Sequence, residues 1–102
     1  MNEGKISGKI HKMLNEQQVT DKFVKREIVV ETDDSYPQMI LIQFVQKNVF
    51  LLDKFKEGDD IIVAYSLKGK PWKDKFFTNI EGFDIAMLNT NETPFTTSET
   101  PF

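Results

Sequence analysis

The chain has no cysteine, one histidine and one tryptophan among its 102 residues. Without cysteine there is no disulfide, no thiolate nucleophile and no sulfur ligand, and a lone histidine argues against a zinc centre. That histidine, His11, falls on the polar side of an alternating segment and reads as a solvated surface residue. There is no glycine-rich phosphate loop and no metal-ligand spacing. The acid pairs Asp33–Asp34 and Asp59–Asp60 are adjacent in turn-like sequence, where their carboxylates diverge instead of cooperating. No enzyme chemistry and no cofactor are therefore expected. No apolar run approaches membrane-spanning length, and the first residues, MNEGKISGK, lack the apolar core of a secretion signal. These absences together point to a soluble, cytoplasmic protein with no membrane contact.

What remains is enough for one domain. Apolar residues make up 39% and aromatics 12%, the composition of a folded chain with a single modest core. The net charge of −3 speaks against a polyanionic partner, but its distribution does not. All thirteen lysines and arginines precede position 76, grouped at Lys22, Lys25 and Arg26 and again over 68–75. Local field outweighs total charge for a polyanion, although an acidic protein should bind one weakly and with strong salt dependence.

The patterning is mostly β. Residues 5–13 alternate, with Ile6, Gly8 and Ile10 on one face. A second strand spans 23–32, the turn DDSYP follows, and MILIQFV over 39–45 forms a third. The segment QKNVFLLDKFKEG places Val49, Leu52 and Phe55 at helical spacing and predicts one short helix near 47–55, stopped by Gly58. Strands over 60–68 and 76–87 close the domain. The order β-β-β-α-β-β is that of the oligonucleotide/oligosaccharide-binding (OB) barrel. The predicted fold is thus all-β with one short helix, a five-stranded OB barrel over 1–88. Its core is Ile6, Ile10, Ile28, Val30, Ile40, Ile42, Ile61, Val63, Leu67 and Ile80.

Residues 58–85 hold the functional signal. Two apolar strands flank a linker with Lys68, Lys70, Lys73 and Lys75, and Trp72 stands among them. Lysines neutralise phosphates and an indole face can stack a base. The competing reading folds Trp72 back onto the barrel and leaves the lysines as solubilising turn residues. After Leu88 the sequence is polar and aperiodic, which predicts a disordered C-terminal tail over 89–102. Within it Glu-Thr-Pro-Phe occurs at 92–95 and again at 99–102, where Pro101 and Phe102 combine a ring with a terminal carboxylate suited to docking in a partner's pocket.

Gly58-Asp59, the alternating Ile61/Val63/Tyr65/Leu67, Lys70-Pro71-Trp72 and Phe76-Phe77-Thr78 resemble the last hairpin of bacterial single-stranded DNA-binding proteins. Pro101-Phe102 resembles those proteins' C-terminal tip, which docks onto replication and repair enzymes. Residues 5–85 more closely resemble a family of short bacterial proteins with an OB fold, known only as a domain of unknown function, through VKREIVVETDDSYP-like and KFFTNIEGFDI-like segments. The resemblance implies a stacking role for Trp72. It also aligns Met39 and Val45, neither aromatic, with third-strand stacking positions, and sets Glu92 and Glu99 where a run of acids is usual. Phe23, beside Lys25 and Arg26, is a replacement stacking surface or a core aromatic at the barrel mouth.

The leading expectation is a protein that binds single-stranded DNA without sequence preference, through Trp72, Phe77, Lys70, Lys73, Lys75, Phe23, Lys25 and Arg26. Its tail would recruit replication or repair enzymes. An OB-fold protein–protein adaptor without DNA binding, and a single-stranded RNA binder, are the alternatives. The outward apolar residues Leu41, Val45 and Ile62 predict a homo-oligomer.

Overall fold

The computed structural model describes residues 2–88, and the expected tail over 89–102 lies outside them. The strands are β1 (Glu3–Met13), β2 (Gln17–Thr20), β3 (Phe23–Thr32), β4 (Met39–Val45), β5 (Asp60–Trp72) and β6 (Lys75–Met87). Neighbours run β1-β5-β6-β4-β3-β2, and a second pairing of β1 with β3 closes five of the strands into a ring. This is the expected OB barrel.

Closure depends on β1 serving two neighbours. Its first part pairs with β5 and its second with β3, so Gly8 faces both Ile61 and Thr32. A Cβ on Gly8 would run into the carbonyl of Glu31, so only glycine allows this close crossing. Beyond it the register shifts between Ile10 and Lys12, which places the exposed His11 at a bulge. β3 and β4 form a regular antiparallel ladder from Lys25↔Val45 to Glu31↔Met39. Alternation along it turns Ile28, Val30, Ile42 and Phe44 inward, all fully buried. They pack with Ile10, Leu52, Ile61, Val63 and Ile85 as one core, flanked by the partly buried Ile6, Ile40 and Ile80.

Several expectations are corrected. The helix is a 3-10 helix over Gln46–Lys54. Val49 and Leu52 are buried and Phe55 packs partly against the core, a period of three that three residues per turn satisfy better than 3.6. The strand β2 was not anticipated, because QQVT carries no apolar alternation; it is held by β3 alone. Strands β5 and β6 each extend to the turn, so most of the expected linker is paired strand: the ladder continues to Trp72↔Lys75 and leaves only Lys73 and Asp74 unpaired. Leu67 is 48% exposed and does not belong to the core. It does point to the inner side, but it lies past the place where the barrel closes.

Candidate nucleic-acid interface

The β5–β6 hairpin outgrows the barrel. β1 pairs as far as Ser66, with one further bond from the Leu67 N–H to the Asn2 carbonyl at 2.8 Å, and β4 meets β6 at a single rung, Gln43↔Glu81. Residues 67–80 therefore form a two-stranded arm, roughly 20 Å long at ~3.3 Å per residue. Register decides its two faces. The rungs Lys68↔Asn79, Lys70↔Phe77 and Trp72↔Lys75 alternate with Leu67↔Ile80, Gly69↔Thr78 and Pro71↔Phe76. Facing residues on an antiparallel pair point to the same side, so Trp72, Lys75, Lys70 and Phe77 form one compact quartet.

That quartet is open to solvent, with Trp72 59% and Phe77 47% exposed. Trp72 does not fold back onto the barrel. Lys73 stands at the turn with a left-handed backbone (φ 59°), and its ammonium sits 5.5 Å from the Trp72 ring centroid. A cation over an exposed indole contributes about 0.5–1 kcal/mol and holds the ring outward. Among the described residues no ion pair engages Lys70, Lys73 or Lys75. With Asp74 the tip carries three positive charges and one negative, net +2. Lower down, Lys68 lies 3.8 Å from Glu81, which weakens its pull on a phosphate.

The second predicted cluster divides. Phe23 and Lys25 lie on the outer face of β3, the side that Gln43↔Glu81 makes continuous with the quartet's face. Phe23 is half-buried and stands outside the core cluster, so it is not a core aromatic. Lys25 lies 3.8 Å from Glu27, which weakens its pull on a phosphate. Arg26 faces the other way. Its Nε donates to the Leu14 carbonyl at 3.2 Å and a terminal nitrogen reaches Asp53 at 3.5 Å, so it braces the barrel mouth. A residue not singled out from sequence positions the β3 end: Gln46 (φ 53°) accepts the Val24 N–H at 3.1 Å and donates to the Lys22 carbonyl at 2.9 Å. Its side chain acts as one more rung of the β3–β4 ladder beside Phe23.

Between the arm and the barrel, β6 peels away from β4. The gap is a shallow cleft of about 170 Å³ lined by Glu27, Leu41, Gln43, Thr78, Asn79 and Ile80. Leu41 is 50% exposed here; Val45 shares its face and Ile62 lies on β5, both half-buried. The three expected oligomer residues thus form two patches, not one. Pro101 and Phe102 lie outside the described residues.

Residues 5–86 match the family described as a domain of unknown function, DUF3127, and the chain belongs to it. No curated protein matches the chain. Among solved structures it is similar to the mitochondrial single-stranded DNA-binding protein Rim1 from S. cerevisiae: TM-score 0.70 at 14% identity, covering 84% of this chain and 94% of that one. The dimeric N-terminal domain of PriB from Thermoanaerobacter tencongensis matches with TM-score 0.66 at 13% identity, over 86% and 97% of the two chains. The single-stranded DNA-binding protein from Thermus aquaticus matches with TM-score 0.69 at 12% identity, over 96% of this chain but 44% of its own. Identities this low establish the shared OB fold.

Proposed function

We propose that this DUF3127 chain binds single-stranded DNA without sequence preference on the outer face of the β5–β6 arm. One observation carries the reading: the quartet Trp72, Lys75, Lys70 and Phe77 on alternate rungs of one face, with Lys73 at the tip. The two rings offer stacking surfaces two rungs apart, and the lysines sit where the phosphates of a stacked strand pass. Every base has a π-face, so such a site reads no sequence. Phe23 and Lys25 extend the track across the outer face of β3, past the cleft. Two of the three similar structures are named as single-stranded DNA-binding proteins, which supports this choice of ligand. We read the chain as a binding protein, not an enzyme, working in DNA replication, repair or recombination in the cytoplasm. Among the described residues no helix is long and apolar enough to cross a membrane. The Glu-Thr-Pro-Phe repeat would recruit partner enzymes through Pro101 and Phe102.

The adaptor reading keeps one specific observation in its favour. Met39 and Val45, on the outer face of β4, give a base nothing flat to stack on. Titrating the protein with an oligothymidylate while following Trp72 fluorescence separates the two. DNA binding quenches the indole, and Trp72→Ala lowers affinity by about 1–3 kcal/mol. Unchanged fluorescence at low salt and micromolar protein would favour the adaptor.

A further inference from the structure

The cleft where β6 leaves β4 interrupts the track between the arm and the Phe23–Lys25 end of β3, and its chemistry differs from both. Leu41 and Ile80 give it apolar walls, and the other four lining side chains, Glu27, Gln43, Thr78 and Asn79, are polar. Glu27 and Gln43 face each other on one rung of the β3–β4 ladder. Gln43 is half-buried, yet among the described residues neither its amide, the Asn79 amide nor the Thr78 hydroxyl makes a hydrogen bond within the chain. A half-buried amide ordinarily has a partner. Unpaired polar groups converging between apolar walls fit a flat ligand with hydrogen-bonding edges. The volume of about 170 Å³ equals about six waters at ~30 Å³ each, the scale of one base and not of a length of strand.

Charge decides which part of a nucleotide can enter. Lys25 lies 3.8 Å from Glu27, and the carboxylate is the less exposed of the two. A phosphate is held off by the carboxylate in the cleft and meets the lysine nearer the surface. A base edge carrying N–H groups is drawn the other way.

We propose that this cleft receives one base of the bound strand and prefers a base with an exocyclic amine (cytosine, adenine or guanine) over thymine or uracil. The inference rests on the arm binding single-stranded DNA. Gln43 and Asn79 each offer a donor and an acceptor, so their amides match any base edge. Glu27 offers acceptors only. An exocyclic amine donates to it, whereas thymine has carbonyl oxygens on both sides of its one N–H and sets them against the carboxylate. Discrimination therefore lies with Glu27. The position along the track agrees. Phe77 and Asn79 are two residues apart on the same face of β6, roughly 7 Å at ~3.3 Å per residue and about twice the ~3.4 Å spacing along a stacked strand. A base in the cleft is thus unstacked from its neighbour on Phe77 and free to present its edge. The arm reads no sequence, so the preference comes from this one position.

Anisotropy of labelled oligothymidylate, oligodeoxycytidylate and oligodeoxyuridylate of equal length, titrated with the full chain at one salt concentration, tests it. A homopolymer puts the same base in the cleft in every register. The wild type binds the cytidylate about fivefold more tightly than the other two, the lower end of what one good base-edge contact discriminates. The uridylate shares thymine's edge without its methyl group, and so separates hydrogen bonding from steric exclusion. Glu27→Gln, which adds a donor and removes the charge, abolishes the preference, and an unchanged circular-dichroism spectrum shows that the barrel is intact. Lys70→Gln weakens all three alike and keeps the preference. Equal wild-type affinities for cytidylate and thymidylate overturn the cleft and leave the arm reading standing. A uridylate bound as tightly as the cytidylate does the same, as does a preference that survives Glu27→Gln. Failure to bind any of the three overturns the arm reading, and the cleft with it.

Discussion

Stacking and charge at the arm tip can be separated by salt. Among the described residues no ion pair engages the arm lysines Lys70, Lys73 and Lys75, whereas Lys68 lies 3.8 Å from Glu81. If each of the three neutralises one phosphate of a single strand, log K falls against log salt with a slope of about −0.7 per contact, or about −2 in all. Raising salt fourfold, from about 50 to about 200 mM, then costs about 18-fold in affinity. The triple variant Lys70→Gln/Lys73→Gln/Lys75→Gln should bind more weakly and lose most of that slope. Trp72→Ala should also bind more weakly but keep the slope, because an indole releases no counterions. Fluorescence anisotropy of a labelled oligothymidylate measures both across a salt series, without relying on the tryptophan that one variant removes. The reasoning fails if the triple variant keeps the wild-type slope, since the phosphates would then be met elsewhere. It fails equally if Trp72→Ala alone abolishes the slope.

Three further outcomes test other parts of the structure. Gly8→Ala drives a methyl into the Glu31 carbonyl where β1 crosses from β5 to β3, and should cost about 1–3 kcal/mol in a denaturant titration; an unchanged midpoint would show that the crossing has slack. Asp59 accepts the Lys56 backbone N–H at 2.9 Å, which holds its carboxyl below the usual aspartate range. A folded-state pKa depressed below the unfolded one contributes stability that is present above the unfolded pKa and lost as pH falls through the folded one. Asp59→Asn should therefore flatten the acid limb of stability below about pH 4 and matter little to its slope near neutrality, as read from thermal midpoints across pH. Deleting Pro101 and Phe102 should leave the unfolding midpoint and DNA affinity unchanged while removing partner enzymes from a pull-down; identical partner sets from the full and shortened chains would refute tail docking.

Period-two alternation is a local property, and so the sequence alone sorted each strand into two sets of side chains and, in β1, marked the apolar one through Ile6 and Ile10. In IVV over 28–30, MILI over 39–42 and IIV over 61–63 both sets are apolar, and closure of the barrel is what turns Ile28, Val30, Ile42, Ile61 and Val63 inward. The same parity carried Phe44, two residues past Ile42 and just as buried, although it was not among the expected core residues. It also turns Arg26 inward with Ile28 and Lys25 outward, a signal available in the sequence and obscured by reading the two basic residues as a cluster. Parity could not say where the barrel ends. Leu67 follows Ile61, Val63 and Tyr65 without a break, and its exposure depends on β1 stopping at Ser66 and on β6 leaving β4 after one rung. Those are contacts between strands far apart in the chain. Hairpin register was equally out of reach: Phe76 and Phe77 are adjacent, and only the two-residue turn sets which of them stands with Trp72 and which stands behind the arm. Side-chain facing follows from the covalent geometry of one strand, whereas burial and partnership depend on how the sheet closes, and closure belongs to the tertiary structure.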